Sequence, residues 1–251
     1  RDWSSDVCSS DLMLDAVTTT GDLTAAGTGG LSFGSTSVGG ALTATSGNGA
    51  ITQTGALAVT GTSALNAGTG DITLNNATNN LVGAVSSTGA NVSLTDGTGG
   101  LVLGATNTTG TLSVTSTGGA IAQATPYTSG NAITTGGAAS FTATSGANAA
   151  DITLANPDNS FGGAVALSGK DVSIVDKTAL ALGAVTTMGN LNATGTGGLS
   201  FGATSVGGAL SATSGNGAIT QTGALAVTGT SALNAGTGDI TLNNATNNFA
   251  G

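Results

Sequence analysis

The residues that could do chemistry are few, and their spacing decides against most of it. Gly30-Leu31-Ser32-Phe33-Gly34, repeated as Gly198-Leu199-Ser200-Phe201-Gly202, fits the Gly-x-Ser-x-Gly pattern of a hydrolase nucleophile turn. Serine attacks only when a base takes its proton, ordinarily a histidine, and this chain has none. A sequence so rich in Gly and Ser produces the pattern by composition alone. Gly68-Thr69-Gly70-Asp71 is similar to one unit of a calcium-binding nonapeptide repeat. Such sites need tandem Gly-x-Asp units, so that oxygens from successive turns share each ion; here the aspartates stand alone and read as corner-turn residues. Gly169-Lys170 lacks the upstream Gly and downstream Ser/Thr of a phosphate loop and reads as a surface turn. Lys170, Asp171, Asp176 and Lys177 form the one charge cluster, expected as a solvated ion-pair patch. The pairs Thr43/Thr45, Thr52/Thr54 and Thr60/Thr62 could order water if stacked in register, and are equally ordinary outward strand positions. No catalytic, cofactor-binding or metal-ligating residue is assigned, and no enzyme activity is expected.

Composition says what must position these residues. The chain has 251 residues, 44 of them Gly, and only 6% are charged. All acidic residues are Asp, and the basic ones are Arg1, Lys170 and Lys177. Helix surfaces need Glu, Lys and Arg; Gly, Thr, Ser and Asn favour turns and extended chain. Disordered chains pair low hydrophobicity with high charge, whereas here charge is sparse, mean hydropathy is +0.28 and apolar residues are regularly spaced. A net charge of −9 excludes the basic stripe of a nucleic-acid binder and a polybasic membrane anchor. No run approaches the ~20 apolar residues of a membrane span, and no signal peptide opens the chain.

Residues 1–12 clash with all that follows. They hold the only Trp and Cys, Trp3 and Cys8, and Asp2 to Leu12 resembles the translation of a sequencing adapter. The segment is expected to be an assembly artefact and disordered, which removes Cys8 from any redox argument and leaves the true N-terminus, with any export signal, unseen. Residues 13–251 are expected to be one solenoid fragment, cut at both ends.

Repeats set the architecture. Residues 27–80 recur at 195–248 with two differences, Ser35 to Ala203 and Thr43 to Ser211. Within them, 31–53 shares length and pattern with 101–123. Asp71-Ile72-Thr73-Leu74, Asp151-Ile152-Thr153-Leu154 and Asp239-Ile240-Thr241-Leu242 mark another recurring position, as do Gly83-Ala84-Val85, Gly163-Ala164-Val165 and Gly183-Ala184-Val185. Short segments such as Ala41-Leu42-Thr43-Ala44-Thr45 and Asn91-Val92-Ser93-Leu94-Thr95 alternate apolar and small polar residues, the period of a strand with one buried face. A closed sandwich cannot absorb a long duplication, whereas a parallel solenoid simply grows. The expectation is an all-β, parallel β-helix (β-solenoid) rod with about three strands per coil, roughly eight to ten coils, and a length near 40 Å at ~4.8 Å per coil. Leu31, Phe33, Leu42, Ile51, Leu57, Val59, Leu65, Ile72 and Leu74 are the inward candidates. Asn75-Asn76 and Asn79-Asn80 are expected to stack with equivalent Asn residues as amide ladders.

The run from Leu103 to Gln123, and Leu225-Ala226-Val227-Thr228-Gly229-Thr230-Ser231 followed by Gly238-Asp239-Ile240-Thr241-Leu242, resemble repeats of filamentous-haemagglutinin-like large exoproteins. The resemblance covers nearly everything after residue 13. It implies a right-handed parallel β-helix, export by two-partner or autotransporter secretion through an outer-membrane transporter of a Gram-negative bacterium, and adhesion at the cell surface to a host receptor or glycan. The expected function is a non-catalytic stalk of a secreted adhesin. The alternatives are a polysaccharide-acting β-helix protein, which needs clustered acid/base residues, and an ice-binding or self-assembling surface protein.

Overall fold

The computed structural model describes residues 11–251. The segment 1–12 singled out above lies outside the described residues as far as residue 10; Asp11 and Leu12 belong to the first coil, where Leu12 pairs with Leu31. Among the described residues there is no α-helix, only short strands and one turn of 3-10 helix at Ser129–Asn131. Strands of three to five residues predominate, because Gly-containing turns break each alternating run.

Apart from a short antiparallel hairpin of Ala139–Ser145 with Asn148–Ala149, the strands stack in parallel as a β-solenoid. A 15-stranded sheet forms one wall, a 13-stranded sheet the other, and a 4-stranded strip lies between them over the first coils. The second coil shows the plan: Leu31–Phe33 lies in the first wall, Thr36–Val38 in the strip, and Leu42–Ser46 in the second wall. Register is strict: Leu12, Leu31, Ile51, Ile72, Val92 and Leu112 stack in sequence, 19 to 21 residues apart. The ladder of the first wall has twelve levels, about 53 Å at the inter-strand spacing. This corrects the expected eight to ten coils: turns of two to four residues make a coil shorter than the sequence punctuation suggested.

All nine inward candidates are buried, and Ile72 stacks between Ile51 below and Val92 above. The two walls share one continuous core, in which Phe141 and Phe161 meet edge to face at 6.2 Å. Glycine is demanded where coils touch. A Cβ on Gly34 would lie 1.7 Å from the Asp15 carbonyl oxygen in the coil beneath. Gly68 adopts φ +58° over Asn48, whose Oδ1 would be 2.2 Å from an added Cβ.

Two places interrupt the plan. After the short strand Val85–Gly89 in the second wall, Val92–Asp96 crosses to the first wall and covers Ile72–Leu74. The next long strand, Leu101–Thr108, then lands on the second wall against Val85–Gly89. From there the long segments 101–108, 121–135 and 152–161 follow the second wall, and the five-residue strands Leu112–Ser116 and Val165–Gly169 follow the first. Val172–Asp176 reverses the exchange, and Ala179–Thr187 returns to the first wall. The similarity of 31–53 to 101–123 is thus real locally, with the two copies on opposite walls. Gly83-Ala84-Val85 and Gly163-Ala164-Val165 both lead into a five-residue strand. Gly183-Ala184-Val185 lies inside Ala179–Thr187, so its grouping with them is corrected.

Candidate functional site

The Gly-x-Ser-x-Gly motifs fall on strands, not on a turn leading into a helix. Ser32 sits mid-strand in Leu31–Phe33, facing outward between Met13 and Thr52. Its two glycines are explained by packing: a Cβ at Gly30 would meet Asp11 Oδ1 and the Ala50 oxygen at 3.2 Å, and Gly34 is crowded as described. Ser32 borders an open groove of about 400 Å³ with Gly30, Ala50 and Thr52, and Ser200 borders its counterpart of about 250 Å³ with Gly198, Ala218 and Thr220. Among the described residues, Asp11 is the only titratable one lining either groove.

The aspartates at coil corners act as backbone caps, as corner residues should. Asp71 Oδ1 accepts hydrogen bonds from the backbone N–H and Nδ2 of Asn91 one coil above, both at 3.0 Å. Asn91 Oδ1 in turn accepts from the Thr111 N–H at 2.9 Å. The same relay runs from Asp151 to Asp171, Asn190 and Ala209. Each side chain thus satisfies the amide of the coil above at a corner where strands diverge. The Asn190 N–H, and behind it Lys170, holds the Asp171 carboxyl below the usual carboxylate range. Among the described residues no group of three or more His, Cys, Asp or Glu side chains converges.

The expected charge patch is half present. Lys170 lies 3.4 Å from Asp171 and 3.8 Å from Asp151, all well exposed. Asp176 is instead fully buried, its carboxylate accepting from the Phe161 N–H at 3.1 Å and the Thr178 N–H at 2.7 Å. Asp96 repeats the arrangement, fully buried, accepting from Leu81 N–H at 2.8 Å and Thr98 N–H at 3.3 Å. Burial pushes the Asp96 carboxyl up, and the N–H donors of Leu81, Thr98 and Gly100 only partly offset it.

Beside each buried aspartate lies an amide pair. Asn79 and Gln53 exchange reciprocal hydrogen bonds at 2.8 and 2.9 Å, while Asn79 Oδ1 also accepts from Leu57 N–H. Asn159 pairs with Gln123, and Asn247 with Gln221, in the same way. This corrects the amide-ladder expectation: Asn79 faces a Gln, not an equivalent Asn, and Asn76 closes its own turn by accepting from Thr78 N–H and Oγ1. The sequence signal for this polar interior was present, as Gln53, Gln123 and Gln221 each end a strand and are each followed by an Asn in the next coil.

Thr43 and Thr45 do not build a flat rank, since Ala64 and Asn66 follow above them, whereas Thr52 stacks in register between Ser32 and Thr73. Other hydroxyls stack likewise. On the outer face of the first wall Ser93, Ser113 and Ser140 stack in register beside Thr95, Thr115 and Thr142. No helix among the described residues is long and apolar enough to cross a membrane.

Comparison with known proteins adds one match. A family described as repeats of unknown function (DUF5649) matches residues 20–88, 89–168, 169–200 and 195–251. No curated protein and no solved structure gives a match. The second and third matched segments begin at Gly89 and Gly169, the last residues of the strands just before the two crossing strands, Val92–Asp96 and Val172–Asp176. With nearly the whole chain after residue 20 matched, and every segment a stack of the same coils, the chain belongs to this family of repeats.

Proposed function

We propose that the chain is a non-catalytic repeat stalk of a secreted or cell-surface adhesin that extends and displays binding regions. The observation that carries this reading is the unbroken twelve-level ladder, in which near-identical segments occupy equivalent coils. Such a stack converts sequence duplication into reach, and repeated weak contacts along it gain avidity by multivalency. The resemblance to large exoproteins supports placement outside the cell, by two-partner or autotransporter export in a Gram-negative bacterium, with a receptor or glycan as partner. Small-angle scattering of the full chain, together with incubation on soluble plant and bacterial glycans, tests the proposal. A rod-like profile and no new reducing ends are expected. A compact isotropic profile overturns the stalk, and glycan cleavage overturns the non-catalytic reading.

A second reading, an ice-binding or self-assembling surface, draws on the in-register hydroxyl ranks of the first wall. Thermal hysteresis in the full chain, abolished by Thr115→Lys, supports it; hysteresis that is absent, or unchanged by Thr115→Lys, removes it.

A further inference from the structure

We infer that Val92–Asp96 and Val172–Asp176 are joints: each adds a half-coil, carries the following unit to the opposite wall, and uses its buried aspartate in place of the strand that the transfer removes. In the first unit the strip strands Val17–Thr19, Thr36–Val38, Leu57–Val59 and Asn80–Leu81 stack in order, and the strip ends there. It ends because the next long strand, Leu101–Thr108, has gone to the other wall. Leu81 N–H, fully inside, would then have no carbonyl above it, and an unpaired buried donor costs as much as a lost hydrogen bond or more. Asp96 Oδ1 takes that N–H. In the second unit the same edge forms on the other wall. The ladder from Ile133–Thr135 ends at Ser160–Phe161, and Asp176 takes the Phe161 N–H. Both aspartates then turn the chain by holding the N–H two residues on, Thr98 and Thr178.

The two occurrences lie on opposite walls and share one pattern, with Asn79 and Asn159, Gly89 and Gly169, Asp96 and Asp176, and Thr98 and Thr178 in corresponding places, so the device recurs with the repeat. The joints also fall at the seams of the family segments, which begin at residues 89 and 169. Equivalent features of successive units therefore face opposite sides of the rod. The inserted loop 124–132, with Tyr127 partly exposed, leaves the second wall, while its counterpart turns at 54–56 and 222–224 leave the first.

Thiol cross-linking between outward neighbours tests the inference in a Cys8→Ser background. Thr88→Cys with Asn107→Cys, adjacent on the second wall, cross-links with a short bifunctional reagent in the full chain. Thr73→Cys with Val102→Cys, on opposite walls, does not. Deleting residues 92–98 reverses both results, because Leu101–Thr108 then stacks on Ile72–Leu74. Retention of the Thr88/Asn107 cross-link in the deletion, or a Thr73/Val102 cross-link in the undeleted chain, overturns the inference. Should the deletion fail to fold, Asp96→Ala decides: hydrogen-exchange protection is lost at Leu81 and kept at Phe161. Unchanged protection at Leu81 refutes the capping role.

Discussion

Residues 72–80 and 240–248 have the same sequence, yet they live in different surroundings. Ile72 is 0% exposed and forms a strand with Thr73 and Leu74, whereas Ile240 is 47% exposed and makes only an isolated bridge to Ile219. Leu81 is buried and its counterpart Phe249 is 40% exposed. The difference lies above them: Val92–Asp96 covers Ile72, whereas among the described residues no strand covers Ile240, which bridges only to Ile219. A single coil therefore does not bury its own apolar residues. Burial is a property of the pair of coils, so stability is a sum of interfaces more than of repeats.

The largest test of this comparison is truncation at the paired isoleucines. Ile72→Ala should cost about 2–5 kcal/mol, the range for a fully buried aliphatic side chain, while Ile240→Ala should cost under about 1 kcal/mol. Urea unfolding followed by circular dichroism measures both, and equal losses would break the comparison. Next comes the amide pair. Asn79 Nδ2 reaches the Thr95 carbonyl at 3.1 Å as well as Gln53 and the Leu74 carbonyl, whereas among the described residues Asn247 Nδ2 bonds only Gln221 and the Leu242 carbonyl. Asn79→Ala should therefore lower stability by about 1 kcal/mol more than Asn247→Ala, the net value of one hydrogen bond.

The smallest effect is a pH dependence with an unusual sign. The Asp96 carboxyl is raised above its ordinary 3.8 by burial. Its contribution to stability is therefore full below the unfolded carboxyl value and is lost as pH rises through the folded one. Urea midpoints measured from pH 4 to 7 should fall less steeply with pH in Asp96→Asn than in the parent chain. Ile240→Ala should leave the slope as it is. A steeper slope in Asp96→Asn would contradict the assigned burial of the charge.

The inward residues were legible because a half-buried strand writes its face at period two: Leu31, Phe33, Leu42, Ile51 and Ile72 needed no knowledge of their neighbours. Gly punctuation and the long duplication likewise gave a stacked all-β rod. The wall that each strand joins was not legible, because 31–53 and 101–123 are alike in local pattern and differ only in the half-coil that precedes one of them. The buried roles of Asp96, Asp176 and Asn79 were hidden for a related reason. These side chains are polar where composition rules expect apolar residues, and they are stable inside only because a strand edge there has an amide to satisfy. Asp176 was read as a surface charge from its neighbour Lys177, which sequence proximity favours and the turn at Thr178 defeats.

The ladder also dictates how the rod answers a pull. Its hydrogen bonds run along the long axis, and tension applied to the two chain ends loads them one coil at a time, like tape lifted from a roll. Each coil of about 20 residues that peels away releases about 65–70 Å of extended chain while the coils beneath stay stacked. A solenoid stretched in this way lengthens in steps and dissipates work coil by coil.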